Sequence, residues 1–286
     1  MEHDQRFSDY IKTLPSLPTS LIKVLEICDN PQTSPADLNH VISLDPVLVG
    51  RVLKLINSAY FGLEQPVRSL TRAIIMLGMN TVKNLALSTT AIDHLWGKAS
   101  LGLDMIGFWR HSLCVGVTAK HLAKRRGISP QLIEEYFTAG FLHDIGKIPL
   151  NAILPKEYLT AISIADREQK PLFEIENSNL GLNHCSIGTL IAISWKLHGA
   201  VGDTIMFHHD CEAYTGEYKD ILYSVATADF LASMSRIGFS GNCHPKPLPP
   251  LIMDALSINS DILNEIEKDV NLEIENAEEF LKISLL

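Results

Sequence analysis

Apolar residues recur at helical spacing along nearly the whole chain, and helix-start signals punctuate them. Ser34-Pro35-Ala-Asp37 joins a capping serine to a proline at the first helical position, and Asp45-Pro46 repeats the signal before Val47–Ile56. Asn57-Ser58 and Gly62 close that segment, and Gly78 separates Ser69–Leu77 from Thr81–Leu95. Leu17–Ile27 has the same periodicity, with Thr19 or Ser20 placed to cap it. No stretch alternates with period two between hairpin turns, so an all-α fold is expected.

The 286 residues are 46 % hydrophobic and 20 % charged, which suits a folded chain of one large or two small domains. The pattern suggests two packed helical subdomains, residues 1–100 and 101–240, parted by a glycine-rich stretch near Gly97–Gly107. His244-Pro-Lys-Pro-Leu-Pro-Pro250 reads as a stiff connector. It opens a final segment, residues 241–286, whose Leu256, Ile262, Ile266, Val270 and Ile274 should pack as helix on the rest.

The net charge is −9, and residues 251–286 hold nine acidic residues against two basic ones. Residues 1–100 balance nine of each, so no basic footprint for DNA or RNA exists and direct nucleic-acid binding is not expected. A polar N-terminus and the lack of any run near ~18 apolar residues lead to an expected cytoplasmic location without membrane association. Five scattered cysteines without a CxxC read as buried reduced thiols, although Cys185 and Cys211 adjoin histidines and could line a site.

Ala139-Gly-Phe-Leu-His-Asp-Ile-Gly-Lys147 sets His143-Asp144 in an apolar helical run. Burying an imidazole and a carboxylate without partners is costly, and a metal ion would satisfy both. Other segments repeat the pattern. His111 shares a face with Phe108, Val115, Ala119 and Leu122, whereas His121 falls beside Lys120 and Lys124 on a side read as solvated. His184 opens a helix with the inner stripe Ile187, Ile191 and Trp195. Val201, Ile205 and His208 share a face with His209 adjacent, and Asp229 lies among Leu222, Val225, Ala226 and Phe230.

One inward histidine is ordinarily a hydrogen-bonded core residue, but seven candidate ligands on five helical segments fit that reading poorly. His111, His143, Asp144, His184, His208, His209 and Asp229 exceed one ion's coordination and suit two metals bridged by Asp144, with iron or manganese preferred to zinc. Such a pair can activate water against a phosphate ester, with Asp144 and Lys147 as catalytic candidates and the Lys147 ammonium on a phosphate oxygen. A solvated lysine at a helix C-terminus is an equal alternative for Lys147. His3, His40, His94, His198 and His244 lack companions and read as surface residues, and Tyr10, Tyr60 and Phe61 as packing.

His111, His143-Asp144 and Asp229 resemble the HD superfamily of metal-dependent phosphohydrolases. The closer resemblance is to the HDOD family, HD-related output domains of bacterial signalling. It rests on Leu14-Pro-Ser-Leu-Pro18, Ile42-Ser-Leu-Asp-Pro46, Asn57-Ser-Ala-Tyr-Phe-Gly62 and Ala73-Ile-Ile-Met-Leu-Gly78. Glu176 to His184-Cys-Ser-Ile-Gly188, Trp195 and His208-His209 extend it to cover about residues 14–240.

The resemblance implies an all-helical signal-output protein, usually without demonstrated catalysis, although this chain keeps the metal ligands. Lys147, His184 and His208-His209 are also similar to the HD-GYP phosphodiesterases of cyclic di-GMP. Asp210-Cys-Glu-Ala-Tyr-Thr-Gly-Glu-Tyr218 lacks their DGxGYP loop, however, and Gly107 stands where some of them place a further glutamate. Those departures favour two metals over three and speak against cyclic di-GMP.

The resulting expectation is a regulatory protein with a binuclear centre, acting on a protein partner or a small phosphorylated ligand. The alternatives are a metal-dependent hydrolase of a nucleotide or phosphodiester, and a pseudoenzyme adaptor with a structural or empty site. Nothing in the sequence sets the oligomeric state.

Overall fold

The proline-led caps form as their chemistry dictates. A computed structural model describes residues 17–28, 30, 32–58, 61–95 and 103–284, and these are all-helical, with no strand. His3, Tyr10, residues 14–16, Tyr60 and the stretch 96–102 lie outside the described residues, as does the His94 side chain. Helix α1 spans Thr19–Cys28, α2 Pro35–Ser43, α3 Pro46–Ile56, α4 Leu70–Leu77 and α5 Met79–Leu95. Ser34 and Asp37 close a reciprocal capping box at the start of α2. The Asp45 carboxylate accepts from the amides of Val47 and Leu48 at the start of α3 and from the Ser20 hydroxyl of α1, tying the two helices together.

The later helices surround one long rod, α6 (Met105–Arg125), followed by α7 (Pro130–Leu142), α8 (Lys147–Ile153), α9 (Pro155–Glu168) and α10 (Leu172–Leu180). Then come α11 (His184–Ser194), α12 (Ala200–Phe207), α13 (Lys219–Met234), α14 (Pro250–Leu256) and α15 (Ser260–Ser284). Helix α6 is buried on nearly every side because α7, α13 and α15 all pack on it. Its Phe108, Leu113, Val115 and Leu122 are fully enclosed, each contributing about 1.5–3 kcal/mol on burial. The crossing with α7 is close: a Cβ on Gly140 would lie 2.9 Å from the Gly116 Cα, so neither helix can carry a larger residue there without separating. Helix α5 also packs on α7, joining the N-terminal helices to the rest.

Three sequence expectations change. The glycine-rich break does not reach Gly107, which sits inside α6. Lys120 and His121 are not on a solvated side. Lys120 is buried in an ion pair with Glu134, and half-buried His121 stands 3.5 Å from Glu273 of α15. The acidic last helix covers that flank, matching Glu278 to Arg110 at 2.8 Å and Glu265 to Arg125 at 3.3 Å. Its apolar side buries Ile266, Val270 and Ile274, as the periodicity predicts. Finally, Cys28 and Cys243 are half-buried, whereas Cys114, Cys185 and Cys211 are fully buried; none of the five is in a disulfide.

Candidate metal centre

The run that carries His143 and Asp144 leaves helical geometry one residue early. Helix α7 ends at Leu142, and residues 143–146 form a tight turn closed by Ile145 N–H to Leu142 O at 3.1 Å and Lys147 N–H to Asp144 O at 2.9 Å. The turn presses on the start of α11, where a Cβ on Gly146 would meet the His184 carbonyl at 1.9 Å. Glycine is required there, and it sets the two halves of the centre against each other.

Six helical segments converge. His111 comes from α6, His143 and Asp144 from the end of α7, Glu176 from α10, His184 from the first position of α11, His208-His209 from the end of α12, and Asp229 from α13. Asp144 is the hub. Its Oδ2 lies 3.3 Å from His143 Nε2 and 3.8 Å from His111 Nε2, and its Oδ1 lies 3.2 Å from His184 Nε2 and 3.6 Å from His208 Nε2. Asp229 Oδ1 is 3.1 Å from His111 Nε2 and 3.8 Å from His143 Nε2.

Two overlapping groups result. His111, His143 and Asp144 form one, and Asp144, His184, His208 and His209 the other, each with ligand atoms within 4.8 Å of one another. All seven residues singled out in the sequence therefore meet in one place.

The outer nitrogens decide the tautomers. His143 Nδ1 donates to the Gly140 carbonyl at 2.7 Å, His208 Nδ1 to the Thr204 carbonyl at 3.0 Å, and His184 Nδ1 to Glu176 Oε2 at 2.6 Å. A carbonyl or carboxylate only accepts, so each Nδ1 carries a proton and each neutral ring turns a bare Nε2 inward. Those lone pairs face carboxylate oxygens, and acceptors are thus gathered around acceptors. His143 Nε2 and Asp144 Oδ1 are buried and make no hydrogen bond.

Buried charge points the same way: Asp144, Asp229 and Glu176 are opposed by the single ammonium of Lys147. The deficit matches a divalent cation, and a set of imidazoles and carboxylates suits a transition metal. The residues present therefore fit a metal.

Protons are the substitute for such a cation. Burial works against a charged His143, but Asp144 and Asp229 together outweigh it and lift the imidazole to about 10. Burial would raise both carboxyls as well, yet His143, Lys147 and His184 hold Asp144, and His111 and His143 hold Asp229, well below the usual carboxylate range. His208 and His209 move down, by burial and then by neighbouring imidazoles, so they remain neutral donors of a lone pair.

Lys147 is neither solvated nor at a helix C-terminus. It is the first residue of α8, fully buried, with Nζ 2.6 Å from Asp144 Oδ2. Burial disfavours its charge, but Asp144, Asp229 and Glu176 raise it above the ordinary lysine value. Cys185 Sγ lies 3.8 Å from His208 Nδ1, so it does line the centre; burial, then Glu176 and Asp144, keep it a protonated thiol. Cys211 lines the mouth.

Two supporting residues were absent from the sequence-derived ligand set. Glu176 accepts from His184 Nδ1 and from the His184 amide at 2.9 Å, and the Tyr158 hydroxyl donates to its other oxygen at 3.0 Å. Its position shared a usable signal: Glu176 stands beside Leu172 and Ile175 on the buried face of α10.

The mouth is narrow. A cavity of about 70 Å³ touches His208, His209 and Asp229 on its inner side and Pro245, Pro247 and Pro249 on its outer side. The proline-rich connector is thus a strap across the entrance. A phosphate group and a few waters fit there.

Comparison with known proteins agrees with the architecture. The HDOD domain model matches residues 14–211. The chain belongs to the HDOD family. The crystal structure of an HDOD domain protein of unknown function from Geobacter sulfurreducens superposes with a TM-score of 0.71 at 25 % identity, covering 98 % of this chain and 95 % of that one. A candidate phosphohydrolase from Shewanella amazonensis SB2B gives a TM-score of 0.70 at 24 % identity over 96 % and 98 %, which shows a shared fold. An uncharacterized protein of Treponema pallidum (strain Nichols) is 29 % identical over 222 residues. This HDOD chain spans 42 % of that relative's length. None of its described helices is long and apolar enough to cross a membrane.

Proposed function

We propose that this HDOD protein is a signal-output regulator whose centre holds a divalent transition metal, iron or manganese in preference to zinc. The reading rests on the buried cluster of bare imidazole nitrogens around Asp144 and Asp229. His111, His143, Asp144 and Asp229 would hold one ion, and Asp144, His184, His208 and His209 a second, with Asp144 shared. Three buried carboxylates against one ammonium balance a single divalent ion. A second ion would call for an anionic ligand at the mouth, such as a phosphate group. We further propose that residues 1–100 and 101–240 act as two helical subdomains, with 241–286 as strap and covering helix. A regulatory protein partner belongs to this reading, supported by exposed Leu44, Val47 and Ile75 on the N-terminal helices. The cytoplasm is the proposed location.

The phosphohydrolase reading has one observation in its favour: the cavity reaches His208, His209 and Asp229, so a phosphate group can touch the centre. A metal bound there would supply Lewis-acid polarisation of water and of phosphate oxygens. Asp144 would orient the shared ligand set, and Lys147 would hold Asp144 and lend positive charge to the phosphate side.

Metal analysis of the purified full-length chain is the first test, with one to two equivalents of iron or manganese expected. A metal-free chain that takes up neither ion and unfolds no earlier in chelator would refute both metal readings. With metal present, turnover of small phosphomonoesters abolished in Asp144→Asn would replace the regulatory reading by the hydrolase.

A further inference from the structure

A second cavity, of about 250 Å³, lies between α5 and the segment joining α11 to α12. Its polar wall carries Lys83 and Asn84 from α5 and Lys196, His198 and Gly199 from the joining segment. Glu135 of α7 is the single carboxylate among the residues lining it. Lys83, Lys196 and His198 set nitrogen groups along the wall beside Glu135, with Glu26 paired to Lys196 at its edge.

Two features make this wall a site for an anion. Asn84 is 4 % exposed, and its Nδ2 is buried without a hydrogen-bond partner. A buried amide donor left unsatisfied costs about 1–3 kcal/mol, so an acceptor is called for at this point. Gly199 is the N-cap of α12, and no side chain caps that helix, whose first amides and dipole favour negative charge. The ion pair of Lys196 with Glu26 at 3.2 Å is exposed on both sides, and such pairs hold a lysine only weakly. Leu25, Leu87 and Val201 supply apolar walls, leaving room for a small body behind the charged head.

We infer that this cleft binds a small organic oxyanion: a phosphate or carboxylate head, received by Lys83, Lys196, His198 and the Asn84 amide, on a compact apolar body. Such a ligand would bridge the N-terminal helices to the helices that carry the metal centre. Its affinity would depend on how those helices sit against each other, which is the property an input signal requires.

Calorimetric titration of the full chain with phenylphosphonate and with benzoate tests this and tells phosphate-type from carboxylate-type recognition. Saturable binding of at least one probe, with Kd of about 1 mM or tighter, is expected. Lys83→Met and His198→Ala should each weaken it by about tenfold, and Asn84→Leu should abolish it. Lys83→Arg should restore most of the affinity, which excludes a folding artefact. Asp144→Asn should leave it unchanged. Absence of saturable binding at ~10 mM, or binding lost in Asp144→Asn but kept in Asn84→Leu, overturns the inference.

Discussion

Glu176 is the residue on which the second half of the centre turns. Replacing it by glutamine keeps the size of the side chain and removes its charge. The carboxylate now takes two hydrogen bonds on Oε2, from His184 Nδ1 at 2.6 Å and the His184 amide at 2.9 Å, and one on Oε1 from the Tyr158 hydroxyl. Glutamine offers one accepting oxygen, which keeps both His184 bonds when it takes the place of Oε2, while the Tyr158 hydroxyl turns to accept from the NH2. Charge-assisted bonds of this kind contribute about 1.5–3 kcal/mol each against about 0.5–1.5 for neutral ones, so all three weaken with the charge.

A neutral acceptor holds the Nδ1 proton less firmly, loosens the ring and lowers the basicity of Nε2, which typically costs 10–100-fold in metal affinity. Titration of the chelator-stripped Glu176→Gln variant with Mn2+ should therefore give a Kd about 10–100-fold above that of the parent chain. Urea unfolding in excess chelator isolates the folding part, for which about 2 kcal/mol is expected. An affinity within threefold of the parent would refute the argument that the Glu176 bond sets the His184 donor atom. A folding loss with no change in affinity would refute it equally.

Chelation should lower the unfolding temperature, by an amount equivalent to about 4 kcal/mol for metal supplied at ~1,000 times its Kd. In the stripped protein His143 sits at about 10, above its ordinary value, so its contribution is complete below about pH 6.5. That contribution is lost as pH rises toward 10, so urea midpoints should fall over this window without metal and flatten with it. Asp144 and Asp229 lie below their ordinary values, so their contribution is present above about pH 4 and lost in acid. Gly146→Ala should cost about 3 kcal/mol or more, because its Cβ would overlap the His184 carbonyl, and circular dichroism of the urea transition measures it. Thiol labelling of the native chain near pH 8 should reach only Cys28 and Cys243: burial pushes Cys114 and Cys211 up to about 12 and raises Cys185 well above the ordinary thiol value. Rapid modification of Cys185 would show that the centre opens.

The helical class and the seven clustered residues could be read from sequence for one reason: each marks a conflict between residue type and position. An aspartate at 229 among Leu222, Val225 and Ala226, or a histidine after Phe141-Leu142, has no reason to be there unless something pays for its burial. Glu176 poses the same conflict on α10, but it lies beyond a turn from His184 and no periodicity joins them. His121 is misplaced because its cover, α15, begins more than a hundred residues later, and Lys120 because its partner Glu134 lies on the next helix. Hydrophobic period reports that a face is buried, not which distant element buries it. The strap illustrates the same limit, since proline content reports stiffness, while the packing of α14 on α13 and the bond from the Leu172 amide to Asn242 lay it beside the cavity.

Charge and access together separate the readings of the centre. The interior carries a deficit matched by one divalent ion, and the three Nδ1 anchors tie the imidazoles to elements that are themselves buried. Metal capture therefore needs little reorganisation, and release would expose the same deficit. Turnover needs, in addition, a path for substrate and product. The cavity that reaches the centre is lined by Pro245, Pro247 and Pro249, residues whose rigidity resists local opening. A centre that held a metal tightly and exchanged it slowly behind a stiff strap would suit a module whose helix arrangement is read by something else. The same centre serves hydrolysis only if the strap moves, so substitution of these prolines by glycine is the change that would distinguish a closed enzyme from a regulator. An enzyme should gain phosphomonoester turnover by at least tenfold, and a regulator should gain only faster metal exchange.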